Sequence, residues 1–360
     1  MRHELFRFLA ICTFGAAFAA LSRPAIAQSF TTFDPHGSLD TVATSINNQG
    51  AIAGYYSDGT LYHGFARSQK GTITTFDVTV GGTFALSIND AGAIAGYYVD
   101  DTGNHGFVRS KKGIITTFDV PGSIYTFVQS INDKGAVTGY FSDRDLYHGF
   151  SRSKEGIITT FDVPGAIRTL AMGTNDEGAI TGYYYVTDTE YHSFVRASDG
   201  NITMFDAPGA IYGTQAYSIN DAGSITGNYS DVTGDHGFVR SHEGIFTTFD
   251  VLGARHASNT YPASINNGEA ITGLYTFSGG AHGFVRAADG AITRFNAPGA
   301  SDTDPTSISR GGAITGTYFC ASGIGHGFVW TPPGIAGNRM PPGIPGRLSF
   351  ASHRGGCASN

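Results

Sequence analysis

The chain has 360 residues, a formal net charge of −7, 14% charged residues and 51 glycines. An acidic chain without a basic run is a poor partner for nucleic acid or for anionic lipid. After residue 27 no stretch approaches the about 20 apolar residues of a membrane helix, so no membrane span is expected in the mature chain.

Residues 1–27 read as a secretory signal peptide. Arg2 and Arg7 start it, residues 8–21 are apolar except for Thr13, and Ala25-Ile26-Ala27 is a small-x-small cleavage site before Gln28. The expected location is the periplasm or the extracellular space. Cleavage removes Arg2, Arg7 and Arg23 against Glu4, which takes the net charge from −7 to −9. Cys12 leaves too. Cys320 and Cys357 remain, and an even number in an oxidising compartment predicts one disulfide. It would tie the Pro/Gly-rich tail, residues 331–360, to the last repeat.

Between these ends the chain repeats itself. His-Gly-Phe, once His-Ser-Phe, starts at His63, His105, His148, His192, His236, His282 and His326, with spacings of 42, 43, 44, 44, 46 and 44 residues. About 40–45 residues is the length of one four-stranded propeller blade. The third unit shows the contents. Residues 126–131 alternate and end in Asn132-Asp133-Lys134-Gly135; residues 136–141, 148–153 and 157–162 follow as three more short runs bounded by turn residues. No window has a helical period. The Asn-Asp-x-Gly string reads as a hairpin turn.

The fold class expected is therefore all-β: a seven-bladed propeller of four-stranded antiparallel blades over residues 28–330. Thr-Thr-Phe-Asp-like runs carry Phe33, Phe76, Phe118, Phe161, Phe205, Phe249 and Phe295. The first precedes any complete unit, and no such run follows His326. The N-terminal run is thus expected to complete the last blade as its outermost strand and so close the ring.

The string Ser-Ile-Asn-Asp-x-Gly-x-Ile-x-Gly-Tyr-Tyr, followed by His-Gly-Phe-Val-Arg, resembles the bacterial extracellular HAF-repeat family over residues 30–330. The resemblance implies a secreted or surface-associated protein of propeller-like repeats and brings no catalytic residue. Unit four departs from the string with Ser193 and Gly173, and unit seven with Ser309-Arg310.

The repeated histidines do not read as a metal site. Strands lie about 4.8 Å apart, which puts third strands roughly 10 Å outside the first, whereas zinc needs nitrogens at about 2.0–2.1 Å. Asp58, Asp100, Asp143, Asp188 and Asp231 precede His63, His105, His148, His192 and His236 by four to five residues. These pairs read as structural braces, and the same role is expected of His282 and His326. The repeated Arg67, Arg109, Arg152, Arg196, Arg240 and Arg286 read as exposed or inter-blade ion pairs. Nucleotide, haem, flavin and nicotinamide motifs are absent, so no cofactor is expected.

Function on a repeat scaffold sits where the copies differ. A threonine recurs six residues before the turn-asparagine position, which is Ser309 in the last unit: Thr41, Thr83, Thr126, Thr169, Thr214, Thr260 and Thr303. The residue before it varies: Asp40, Gly82, Tyr125, Arg168, Gly213, Asn259 and Asp302, with Tyr212, Arg255, His256, Tyr261 and Asp304 close by. One mouth should therefore display Tyr125, Arg168, Tyr212, Arg255, His256, Tyr261 and Asp302, types that suit a glycan or a protein ligand. The reading that follows is a secreted, monomeric, non-enzymatic binding module. The alternatives are a propeller lyase using Tyr212, His256 and Arg255, a hydrolase using Asp40 and Asp302, and a structural surface protein.

Overall fold

The computed structural model describes residues 29–144, 146–251, 259–332 and 357. Among them are 28 strands, numbered β1 to β28 in chain order. No helix of the described residues is long and apolar enough to cross a membrane. The proposed signal peptide, Arg255, His256 and most of the tail lie outside the described residues. Cys357 is described, and it is disulfide-bonded to Cys320 with their Cα atoms 5.4 Å apart.

The third unit shows why these residues make strands. It consists of β10 (Tyr125–Ile131), β11 (Val137–Ser142), β12 (Tyr147–Arg152) and β13 (Ile158–Phe161). In β10 the side chains of Thr126, Val128 and Ile131 are buried, and a bulge between Val128 and Ser130 resets the alternation. The turn into β11 needs a left-handed residue, and Gly135 takes φ 85° there. Gly139 in β11 has a different reason to be glycine: a Cβ on it would collide with the carbonyl of Phe127 on the neighbouring strand.

Each unit is an antiparallel sheet in chain order. In the first, β2 (Asp40–Ile46), β3 (Ile52–Ser57), β4 (Tyr62–Arg67) and β5 (Ile73–Phe76) lie side by side. In the last, β26 (Asp302–Ile308), β27 (Ile314–Phe319) and β28 (Gly325–Thr331) take β1 (Ser29–Phe33) as their fourth strand, with Phe30 opposite Trp330. Units three to five join into one twelve-stranded sheet through two parallel pairings, Tyr147 with Arg168 and Tyr191 with Gly213. The first strands are β2, β6 (Gly82–Ile88), β10, β14 (Arg168–Thr174), β18 (Gly213–Ile219), β22 (Thr260–Ile265) and β26. Each touches the next, and β26 touches β2.

The core lies between sheets. The fourth-strand phenylalanine of one unit wedges against the third strand of the next. Phe118 meets Phe150 edge-on at 6.2 Å, and the Arg152 guanidinium lies 4.7 Å above the Phe118 ring. The same arrangement joins Phe33 to Phe65 and Arg67, Phe76 to Phe107 and Arg109, Phe161 to Phe194 and Arg196, Phe205 to Phe238 and Arg240, and Phe249 to Phe284 and Arg286. The repeated arginines are therefore cation–π partners of the preceding unit, a correction to the ion-pair expectation. In the last unit Trp330 takes the arginine's place and stacks on Phe295 at 3.8 Å. Phe150 is completely buried. Phe150→Ala should cost about 3–5 kcal/mol in urea unfolding, while truncation of the exposed Ile157 should change stability by less than about 0.5 kcal/mol.

Candidate ligand-binding mouth

The first strands run between two faces of the molecule. On the far face, turn residues of all seven repeats line one cavity of about 170 Å³. The turn asparagines tie the repeats into a ladder. Asn132 Oδ1 accepts Ala136 N of its own turn at 2.9 Å, and its Nδ2 donates to Asn175 O of the next unit at 2.8 Å. The same step runs from Asn47 to Asn89, Asn89 to Asn132, Asn175 to Asn220, Asn220 to Asn266 and Asn266 to Ser309. Asp90, Asp133, Asp176 and Asp221 accept backbone N–H groups from the preceding unit. Burial first, then the neighbouring carboxylates, raise the Asp133 carboxyl above its ordinary value. The sequence assigns these residues a turn and gives no hint of the ladder, because each bond spans more than 40 residues.

The near face holds the variable positions. The repeated threonines are indeed structural: Thr126 Oγ1 accepts Val120 N at 3.3 Å and Thr169 Oγ1 accepts Val163 N at 3.1 Å, which pins the incoming linker. Beside them runs an inner row of side chains, half-buried except for the buried Asn228 and Thr317. Val42 pairs with Tyr55, Phe84 with Tyr97, Phe127 with Tyr140, Leu170 with Tyr183, Gln215 with Asn228, Tyr261 with Leu274 and Asp304 with Thr317. Across the first three units the rings are continuous: Tyr55–Phe84 at 5.1 Å, Phe84–Tyr97 at 4.9 Å, Tyr97–Phe127 at 5.3 Å and Phe127–Tyr140 at 5.1 Å. Tyr183 continues to Tyr217 at 6.1 Å. The hydroxyls of Tyr55, Tyr97, Tyr140 and Tyr183 have no hydrogen-bond partner among the described residues. Burial, followed by neighbouring phenols, pushes Tyr55 and Tyr183 each up to about 12 and raises Tyr140 further.

The sequence-predicted site residues fall around this row. Tyr125 and Tyr212 are exposed at the rim. Arg168 forms an ion pair with Asp188 at 2.8 Å and lies 5.5 Å from the Tyr185 ring centre. Tyr261 donates its hydroxyl to Asp235 at 2.6 Å, and Ser230 donates to the other carboxylate oxygen. Asp302 accepts Ala281 N at 2.8 Å, and Asp40 accepts Gly325 N at 2.9 Å. Asn259 accepts Asp235 N at 3.1 Å in the same way. The acidic and amide residues at this position thus hold the third strand of the preceding unit.

The histidine braces are double. His63 Nδ1 meets Asp77 at 2.8 Å and its Nε2 meets Asp58 at 3.3 Å. His105 lies between Asp119 and Asp100, His148 between Asp162 and Asp143, and His236 between Asp250 and Asp231. His192 pairs with Asp206 and Glu190, while Asp188 goes to Arg168, which corrects the expected His192–Asp188 pair. His282 uses Asn296 and the Phe277 carbonyl, and His326 uses Asp34. The expected loop carboxylates are half of each brace. The other half comes from the fourth strand, 14 residues along.

No family model and no curated protein matches the chain. Solved structures do. A streptogramin B lyase structure superposes with a TM-score of 0.58 at 14% identity, covering 84% of this chain and 97% of that one. The β-propeller domain of the Trilobed protease from Pyrococcus furiosus gives 0.58 at 10% identity, with 81% and 94% covered. An oligogalacturonate lyase in complex with manganese gives 0.56 at 10%, with 86% and 98% covered. These likenesses establish an all-β, propeller-like fold.

Two titrations check this geometry. Burial lowers the His236 imidazole, but the Asp250 and Asp231 bonds outweigh it and hold the group above 6.5. Its brace therefore stabilises the fold fully below pH 6.5 and fades as pH rises through the raised value. In an NMR titration His236 should titrate above 6.5, and Asp250→Asn should move it down. Asp304 goes the other way for a carboxylate: burial pushes it up to about 6. Between its ordinary value and about 6 the folded state binds the extra proton, so stability falls as pH rises through that window. Asp304→Asn should raise stability at pH 7 by on the order of 2 kcal/mol, and the gain should vanish near pH 4, as read by thermal unfolding at both pH values.

Proposed function

We propose that this chain is a secreted, non-enzymatic binding module on a closed ring of seven four-stranded blades, and that it takes a glycan at the mouth lined by the inner row. The ring reading is supported by β1 completing the sheet of β26 to β28 and by the contact of β26 with β2. The signal-like residues 1–27 and the resemblance to the HAF-repeat family support export from a bacterial cell.

The observation that carries the binding reading is the run of rings from Tyr55 to Tyr140 with free phenolic hydroxyls at its edge. A saturated sugar ring has one apolar face and a polar rim. Flat aromatic faces next to unengaged hydroxyls match both. Exposed apolar residues collect at the rim around it, among them Leu61, Tyr62, Ile124, Tyr125, Ile211 and Tyr212.

One observation favours a second reading, a lyase at the same mouth. Burial pushes the Asp304 carboxyl up to about 6, and its charge is one of the smaller influences that raise the Tyr55 phenol after burial, which pairs a candidate base with a candidate acid. Two of the proteins similar in fold described above are lyases. The hydrolase pair is not favoured, since Asp40 and Asp302 are each engaged by a backbone N–H group.

Size-exclusion chromatography of the purified protein with acidic and neutral polysaccharides separates these readings. Co-elution at unchanged polysaccharide size is the expected outcome, weakened about tenfold by Tyr97→Ala or Tyr140→Ala. A polysaccharide that elutes later than its control has been cut, which overturns the non-enzymatic reading.

A further inference from the structure

The inner row changes chemistry around the axis. Over the first four units its second-strand member is a tyrosine: Tyr55, Tyr97, Tyr140 and Tyr183. In the fifth unit that position is Asn228, and in the seventh the first-strand member is Asp304. The first brings a buried acceptor that nothing satisfies, the second a half-buried carboxylate. Asn228 is 2% exposed and its Oδ1 has no hydrogen-bond partner. Asp304 lies opposite Thr317, but that hydroxyl is already committed: it donates to Thr41 O at 3.4 Å and accepts Ala43 N at 3.3 Å. The Asp304 carboxylate has no hydrogen-bond or ion-pair partner among the described residues.

Its neighbours at the mouth differ. The Asp40 and Asp302 carboxylates accept backbone N–H groups, and Asp235 is held by Ser230 and Tyr261. Arg168, a cation at the rim, is held by Asp188. An acceptor buried without a partner is costly, and a half-buried charge is costly to the extent that water is withdrawn from it. A ligand that brings hydrogen-bond donors removes that cost, and one that brings positive charge removes most of it. The aromatic wall points the same way, because the faces of Tyr55 and Phe84 attract cations as well as sugar rings.

We propose that the mouth selects a cationic glycan, an amino-sugar chain whose ammonium group docks on Asp304 while the sugar faces lie on the tyrosine row. This rests on the glycan reading above and names its ligand class. A neutral or N-acylated sugar leaves the Asp304 carboxylate uncompensated. An acidic one adds repulsion.

The test is titration calorimetry of the purified protein with two probes, a β-1,4-linked glucosamine hexamer and its fully N-acetylated counterpart. Roughly pH 6.5 keeps both the carboxylate and the amines substantially charged. The free-amine hexamer should bind at least about tenfold tighter, and Asp304→Asn should abolish that preference. The substitution is nearly isosteric and is expected to stabilise the fold, so a loss of binding is not a loss of folding. Equal affinity for the two probes, or tighter binding of the acetylated one, overturns the charge inference and leaves the glycan mouth standing. A preference that survives Asp304→Asn overturns the assignment to Asp304. Binding of neither hexamer overturns both the inference and the reading beneath it.

Discussion

The architecture depends on one wedge. The phenylalanine closing each unit's fourth strand does not serve its own sheet alone. It enters the next unit, edge-on to a fully buried phenylalanine and beneath an arginine, as Phe118 does with Phe150 and Arg152. An aromatic edge contact and a desolvated cation–π contact are each worth of order 1 kcal/mol beyond the area they bury. Repetition makes the sum large, and the direction is always the same, from one unit to its successor. The chain's N-terminal strand fits this logic: Phe33 sits in the last sheet and wedges into the first unit against Phe65 and Arg67.

What the wedge does at the periphery, the asparagine ladder does near the axis. Each turn asparagine closes its own hairpin with one side-chain atom and reaches the next unit with another. The linker is pinned by the recurring threonine, and the third strand by the two-sided histidine brace. These repeated polar groups are consumed by the fold. The tyrosines Tyr55, Tyr97, Tyr140 and Tyr183 of the inner row carry no such hydrogen bonds among the described residues, and Asn228 and Asp304 stand where that row departs from its own pattern.

Much of this was legible in the sequence. The period, the four runs per unit and the odd N-terminal run announce the strands, and the boundaries of the third unit agree to within about a residue. Contacts between neighbours along the chain were legible too, such as His63 with Asp58. Contacts across the sheet were not. Asp77 lies 14 residues from His63 and becomes its partner only when two strands pair. The arginines look like ion-pair formers because sequence reports their charge and not the ring beneath it. The inner row was hidden for a subtler reason. In a string such as Gly54-Tyr55-Tyr56 the two tyrosines look alike, yet strand alternation sends Tyr56 to stack on His63 and Tyr55 to the inner row. Tyr125 and Tyr212, chosen for their variability, prove to be rim residues.

The replacement of arginine by Trp330 gives the molecule a built-in optical reporter. It is the only tryptophan of the chain. Its indole is 1% exposed, stacked on Phe295 and set opposite Phe30 of the strand contributed by the other end of the chain. Its emission therefore describes a single place, the seam between the two chain ends, and is silent about the other junctions. A fluorescence transition that precedes the loss of far-ultraviolet dichroism would mean that the molecule opens at this seam before the rest of it unravels.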